Sequence, residues 1–487
     1  MILLTAMELR KWLGFRQENQ EATRPRFVEL RSSRWFITFV VSFASGTDIF
    51  MYGLFVPVTP TALQIRVGIP EERVQAWTSI LLALFSAAML VFSPIVGYIA
   101  DRSESRRWPF LFGLVGLGVA TAVLCIGTSV GLWVAGRLFQ GAAAAVVWVV
   151  GIALMADTLG KDGLGQAIGY MAMAGSVGTL AGPLLGGVLY QECGYYAVFV
   201  LAFVLIGLDI LLRLMLIERR HAIKWLAPEM RPLAATENEA GDPTNPPNLT
   251  PTCDSQGSLK TSASRSGLGR VSFLLTSSRL KAALWGNFLI ALLLSSFDSV
   301  LPLFVQGTFG WRQSAQGLIF LPLIVPHVSE PVTGFVIDRF PRSSRYITAG
   351  AFLTSVPLLV LLRLVVDNST HHKILLCAIL ALLGLCFAVT LPPLDVEVFH
   401  AVKEKEDQDP DAFGGGGVTA LAYGLTNMGF AAGSLIGPFF AGFIRQRAGW
   451  GTMGWALGLI TGVSAIPILF FMGGWILREP VSSEDEV

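Results

Sequence analysis

Charge is what this chain has least of. Of its 487 residues only 14% are Asp, Glu, Lys or Arg, and the formal net charge is +1. A soluble domain carries about 25%, so a water-soluble globule is a poor fit, as is recognition of nucleic acid through bulk charge. Cysteine is scarce as well. Cys125, Cys193, Cys253, Cys377 and Cys386 are scattered, with no CxxC pair and no histidine at metal-ligand spacing, so they read as single thiols packed in or near helices, not as metal ligands. There is no Walker-type glycine loop, which removes an ATP-driven pump, and neither HExxH nor GxSxG occurs. No enzymatic activity, metal or cofactor is expected. A cleavable signal is also missing, because residues 1–34 offer only a short apolar start followed by charges. The first apolar stretch is expected to serve as its own insertion signal.

What the chain does have is hydrophobic length. Apolar residues make up 53% and the mean hydropathy is +0.61. They gather in windows of about 20, the span of a helix crossing the hydrocarbon core. Twelve windows are predicted, near 35–58, 76–100, 109–128, 131–156, 166–190, 195–217, 281–306, 315–337, 346–366, 372–393, 415–444 and 451–476. One connection is long and polar, Glu218 to Ser278, with clusters such as Asp242-Pro-Thr-Asn-Pro-Pro-Asn that mark a flexible linker. The predicted fold class is all-α and integral to the membrane, twelve helices in two six-helix bundles. The expected division is a tail at 1–34, a bundle at 35–217, a linker at 218–280, a second bundle at 281–476 and a tail at 477–487.

Basic residues set the expected orientation. With the N-terminus in the cytosol, the cytosolic segments hold 26 of the 35 Lys and Arg and the opposite loops hold seven. Without the N-terminal tail and the linker the bias keeps its sign at 10 against seven. Both termini are therefore expected in the cytosol. Asn368-Ser-Thr is a glycosylation sequon on the outer side, close to the membrane.

Three ionisable residues interrupt the apolar stretches. Asp48 lies near the middle of the first, Asp298 at similar depth in the seventh, and Arg137 in the fourth. A charge at mid-membrane costs roughly 2.5–3.5 kcal/mol on insertion scales, so such residues are kept where they meet ions, protons or polar substrate. An acid in a cavity that opens alternately to either side can carry a proton across. Asp48 with Asp298 reads as such a pair, the alternative being an acid neutralised by hydrogen bonds to helix neighbours. Arg137 stays charged. It either tunes a carboxylate or acts as a fixed strut between helices 1 and 4.

Other polar residues carry weaker signals. His327 and Glu330 stand three apart on one helix face, as a proton relay or as a satisfied local pair. Asp395 and Glu397 follow Pro392-Pro393 near the cytosolic mouth, where solvation is expected. The run Lys403-Glu-Lys-Glu-Asp-Gln-Asp reads as a cytosolic loop. Phe50, Tyr52, Trp77 and Trp148 could wall a cavity for an amphiphilic ligand or simply pack. Tyr423 and Asn427, four apart on helix 11, form the stronger substrate-side pair.

The two halves repeat each other. Pro94-Ile-Val-Gly97-Tyr-Ile-Ala-Asp101-Arg102 recurs as Pro331-Val-Thr-Gly334-Phe-Val-Ile-Asp338-Arg339, and Gly178-x3-Gly182-Pro183-x2-Gly186-Gly187 matches Gly429-x3-Gly433-x3-Gly437-Pro438. Glycines four apart line one helix face and admit a close neighbour. Duplicated units of this kind resemble transporters whose sites lie at the repeat interface.

On these motifs the chain resembles a major facilitator superfamily transporter. Gly97-x3-Asp101-Arg102-x3-Arg106-Arg107 resembles the superfamily signature, which implies that Asp101, Arg102 and Arg106, with Asp338 and Arg339 in the repeat, latch helix ends in one conformational state. Gly136-Arg137-Leu-Phe-Gln140-Gly141 resembles the helix 4 motif of proton-coupled members, and Gly178, Gly182, Pro183 and Gly186 the helix 5 motif of antiporters. Asp48-x8-Pro57-x2-Pro60, Leu208-Asp209 and Asp298-x3-Pro302 resemble drug:proton antiporters and vesicular amine transporters. The family's helix 11 acid is Asn427 here, its helix 2 lysine falls near Phe85, and its helix 10 acid falls near Phe387 and Ala388. Sugar-porter motifs are missing after helices 6 and 12. The resemblance implies a proton-coupled antiporter that moves a small amphiphilic organic solute, a drug or metabolite, out of the cytosol by alternating access. Organelle loading of an amine-like solute, proton symport or facilitated import, and a non-transporting sensor stand as alternatives. The expected partners are that solute, protons and the lipid bilayer, with no nucleic acid and a monomeric state. The plasma membrane is the expected site, a vacuolar or vesicular membrane the alternative.

Overall fold

The computed structural model describes residues 25, 27–103, 105–161, 163–222, 225, 267–311, 313–409, 413 and 417–475. Most of both tails and of the polar linker, and Cys253, lie outside these residues. Within them every regular element is helical. The spans are α1 Arg34–Phe55, α2 Glu71–Asp101, α3 Arg107–Ile126, α4 Val130–Leu159, α5 Leu164–Cys193, α6 Tyr195–Met215, α7 Ser278–Phe309, α8 Gln316–Arg339, α9 Ser343–Leu364 and α10 Thr370–Gln408. A last continuous helix, Thr419–Phe471, is broken by Gly449 at φ 86° and ψ 174°. A side chain rarely adopts that conformation, and the break divides the helix into α11 (419–448) and α12 (450–471). Among the described residues the fold is all-α, with twelve membrane helices in two pseudo-symmetric bundles.

Local chemistry explains the boundaries. Ser33, Ser129, Ser277 and Ser369 each accept a backbone N–H at the start of α1, α4, α7 and α10, the usual work of a serine N-cap. Pro57 ends α1, and the chain resumes as a short helix, Val58–Ile65, instead of one span to residue 58. Three prolines interrupt α8: it runs through Leu321–Ile324, a 3₁₀ stretch Val325–Ser329, and a regular segment Glu330–Arg339. Helix α10 breaks at Val389 and Thr390, then restarts at Leu391 with two prolines in its first turn.

That restart corrects one expectation. The run Lys403 to Gln408 is not a loop: it continues the helix Leu391–Gln408, with Lys403 Nζ donating to Glu406 at 3.0 Å and Lys405 to Gln408 at 3.1 Å. Such i,i+3 pairs support a solvated helix.

Glycines set the distance between helices within each bundle. A Cβ on Gly178 would lie 2.5 Å from the Gly46 carbonyl, and on Gly182 2.6 Å from that of Phe50; one on Gly186 would overlap the Leu54 carbonyl. Helix α5 therefore rests on the α1 backbone turn by turn. The second bundle repeats this, with Gly433 against Phe288 and Gly437 against Leu292, joining α11 to α7. Without a water-driven hydrophobic force between helices in lipid, such close approach is a main source of cohesion.

Candidate functional site

Two helix ends bind the bundles to one another. Asp101, last residue of α2, accepts from the amides of Ala420 at 2.9 Å and Leu421 at 2.7 Å, in the first turn of α11. Asp338, near the end of α8, accepts from Gly165 at 2.8 Å and Gln166 at 2.9 Å, in the first turn of α5. Each carboxylate thus caps a helix of the opposite bundle, where free N–H groups and the positive end of the helix dipole favour an anion. Gly97 and Gly334 permit the approach, since a Cβ on either would overlap the backbone of Ala420 or Gly165.

The two caps differ in their surroundings. Arg106 donates to Asp101 at 2.9 Å and to Asp157 at 3.0 Å, and it is buried with Asp101. The residue 237 positions after Arg106 is Ser343, so the repeat does not reproduce the arginine. Arg102 and Arg339 are exposed; the Arg102 guanidinium lies 4.3 Å over the Tyr98 ring.

Contacts between the bundles continue up α2 from this end. Ser93 packs against Gly424, and Asn427 Nδ2 donates to Ser93 Oγ at 2.9 Å. Further along, Phe85 and Met89 form an apolar cluster with Ala144, Ala145 and Ala431, flanked by Tyr52 and Phe430. The Tyr52 and Phe85 rings are 4.8 Å apart.

Arg137 and Asp298 lie within electrostatic reach of Tyr52 at its flank; Asp48 is held separately. Asp48 is 2% exposed. Trp148 Nε1 donates to its Oδ2 at 3.2 Å, and its Oδ1 has no hydrogen-bond partner among the described residues. Arg137 is fully buried. It donates to Gln140 Oε1 at 2.9 Å and to Thr59 Oγ1 at 3.3 Å, while its Nε is unpartnered among the described residues. Arg137 thus ties α4 to the short helix after α1 through Thr59, while Gln140 on its own helix holds the other arm.

Asp298 is different. Protein atoms surround it, yet it is solvent-exposed, as a residue lining a cleft would be. It lies within electrostatic reach of Tyr52, as does Arg137. Tyr52 is the residue that brings the two bundles' candidate charges together.

The remaining candidates are placed less openly. Phe50 is 8% exposed and belongs to an apolar core cluster with Met51, Leu54 and Phe55. Tyr423 is 1% exposed, its hydroxyl donating to the Asp395 carbonyl at 3.2 Å. Asn427 is half-buried at the contact with Ser93. Of the four substrate-side candidates, Tyr52 and Asn427 adjoin the junction of the bundles. His327 and Glu330 do touch, Nδ1 and Oε1 standing 2.6 Å apart. The solvation expected for Glu397 is corrected: it is 2% exposed, accepting from Arg279 Nε at 2.6 Å and from the Gly473 amide at 2.7 Å.

Two residues gained little weight from sequence reasoning and now stand out. Asp209 and Arg213, four apart on α6, are both fully buried. Neither Asp209 oxygen has a hydrogen-bond partner among the described residues, and Asp48 and Arg213 lie within its electrostatic reach. Arg213 donates to the Arg106 carbonyl at 3.1 Å and stacks 4.3 Å over Phe110. The visible signal was an acid and a base one turn apart in an otherwise apolar span.

Comparison with known proteins agrees with this architecture. The family model described as Major Facilitator Superfamily matches residues 38–408 and 283–486. The MFS-type transporter ppzB of Metarhizium rileyi is 33% identical over 471 residues, covering 92% of this chain and 97% of that protein. The uncharacterized MFS-type transporter C18.02 of Schizosaccharomyces pombe is 33% identical over 447 residues, covering 91% and 95%. The class G tetracycline resistance protein of Vibrio anguillarum is 32% identical over 176 residues, covering 36% of this chain and 44% of that protein. The crystal structure of the human organic anion transporter MFSD10 (TETRAN) superposes with a TM-score of 0.62 at 19% identity, covering 89% of this chain and 99% of that one. By this match along nearly its whole length, the chain belongs to the Major Facilitator Superfamily and is a multi-pass membrane transporter.

Proposed function

We propose that the protein is a proton-coupled antiporter that exports a small amphiphilic organic solute from the cytosol by alternating access. The observation that carries this is Asp48: a buried carboxylate in a membrane helix, held by one indole N–H and with its other oxygen unpartnered among the described residues. A permanently ionised carboxylate would need fuller compensation there, so a group that gains and loses a proton suits the place. Asp298 and the Arg137 guanidinium, the latter bonded to neutral partners among the described residues, flank Tyr52.

In this reading the end bearing Asp101 and Asp338 faces the cytosol, with both termini, and is shut. Solute then leaves through the opposite end while a proton enters on Asp48. Residues 35–217 and 281–476 act as the two rocking units, joined by a cytosolic linker at 218–280, and the protein works as a monomer in the plasma membrane. Tyr52 and Asn427 meet the solute, with Phe50 and Tyr423 supporting the wall behind them. The partial relatives named for tetracycline resistance support a drug-like solute.

The test has two stages. Growth of cells lacking the protein against toxic organic compounds identifies a solute, whose flux is then followed in proteoliposomes with and without a proton gradient. Asp48→Asn should abolish gradient-driven accumulation and retain solute exchange at equal pH. Unchanged gradient-driven accumulation would remove the coupling role.

A further inference from the structure

A second group of acids lies in the other bundle, apart from Asp48. Glu330 is fully buried and His327 is 4% exposed. His327 Nδ1 and Glu330 Oε1 stand 2.6 Å apart, while Glu330 Oε2 has no partner among the described residues. Asp395 of α10 is within electrostatic reach of Glu330, and Asn287 of α7 donates to its Oδ1 at 3.4 Å. Tyr423 of α11 bonds the Asp395 backbone. Helix α5 presents the backbone at Gly169, where a Cβ would lie 2.5 Å from the Glu330 carbonyl. The titratable groups around Glu330 are therefore His327 on its own helix, Asp395 from α10 and, behind Asp395, Tyr423 from α11. Two carboxylates within electrostatic reach of each other in a low-dielectric site do not both ionise readily, and no arginine or lysine is bonded to either among the described residues.

The backbone gives this cluster a lever. His327 lies in the 3₁₀ stretch Val325–Ser329, and a 3₁₀ interruption inside a helix often marks a hinge. Glu330 begins the regular segment Glu330–Arg339, and Asp338, which caps α5, stands near its far end. Eight residues of helix span about 12 Å, so one rigid piece joins the acid to the cap.

We infer that Glu330, Asp395 and His327 form a second proton-binding site, and that its occupancy sets the tilt of Glu330–Arg339 and so the Asp338 cap on α5. The step is a proton transfer alone. A proton from water binds a carboxylate oxygen of Glu330 or Asp395, His327 staying hydrogen-bonded to Glu330, and returns to water when the site empties; only O–H bonds form and break. With one carboxylate neutral the pair relaxes and the segment stays docked. With both ionised they repel, the segment swings about the 3₁₀ stretch, and the cap is released.

Two readouts on the purified full chain in detergent, with no solute present, test this. The first counts protons bound in unbuffered solution between about pH 9 and about pH 5. The second measures the distance between spin labels on Lys161→Cys and Arg342→Cys, beside the two helix ends, with native cysteines replaced by serine. Glu330→Gln and Asp395→Asn should each bind about one proton fewer than the unaltered chain, and the label distance should stop responding to pH. His327→Gln should keep the proton count and move the pH at which the distance changes. Asp48→Asn should lose a different proton and keep the distance response, which separates this site from the coupling role of Asp48. If Glu330→Gln does not fold, Asp395→Asn and His327→Gln carry the test. A full proton count in Asp395→Asn, or a distance response surviving there unaltered, overturns the inference.

Discussion

Asp101 and Arg106 form a buried ion pair at 2.9 Å in which the carboxylate also caps the first turn of α11. One side chain therefore satisfies an arginine of its own bundle and two amides of the other. Asp101→Asn keeps one acceptor oxygen and loses the ionic component. Buried hydrogen bonds to charged groups contribute about 1.5–3 kcal/mol, so opening at this end should become roughly ten- to a hundredfold more favourable. Asp338→Asn, which alters the matching cap on α5, should shift the equilibrium in the same direction. Alkylation rates of a cysteine placed at Lys161 measure both.

The glycine contacts predict a graded series. Gly182→Ala forces a methyl into the Phe50 carbonyl and should cost about 1–3 kcal/mol, read as a lower melting temperature in detergent. Gly182→Leu should prevent recovery of monodisperse protein. Gly187→Ala, with no atom within 4 Å of the added carbon, should change stability by less than about 0.5 kcal/mol.

Arg137 separates a charge role from a bracing role. Thr59→Val removes one of its two bonds and should cost about 1 kcal/mol of stability with coupling intact. Arg137→Lys keeps the charge and loses the fork that spans Gln140 and Thr59. If the charge matters, gradient-driven flux survives in Arg137→Lys at reduced rate and disappears in Arg137→Gln. Equal loss in both variants would assign the arginine to bracing.

Arg279 neutralises Glu397, which is otherwise a buried carboxylate beneath the Gly473 amide. Arg279→Ala leaves that charge without its partner and should destabilise the fold by about 2–3 kcal/mol, since the arginine is itself 20% exposed. Glu397→Gln, still able to accept from Gly473, should be milder, and adding it to Arg279→Ala should recover part of the loss. Thermal unfolding of the four proteins forms the cycle.

The membrane helices were legible because a hydrocarbon core imposes a length, and each predicted window lies on or beside a helix. The caps were legible because the Gly97–Asp101 and Gly334–Asp338 repeats stand out in sequence. What stayed hidden depends on which way a side chain turns. Phe50 and Tyr52 are two residues apart in one apolar helix, yet the first enters the core and the second reaches the junction. In lipid both faces are apolar, so periodicity does not distinguish them. Glu397 looked solvated because its partner, Arg279, is 118 residues away. The charge run after it looked like a loop because composition alone carries no sign that a membrane helix continues into water.

The contacts climbing α2 also fix an order of events. They begin with charged caps at Asp101, pass through Ser93 and Asn427, and finish in the apolar knot at Phe85. A molecule approaching from the capped side meets the ionic fastening before the greasy one. Because that fastening is buried and salt screens buried charges far less than exposed ones, raising the ionic strength should leave the first parting of this end almost unchanged.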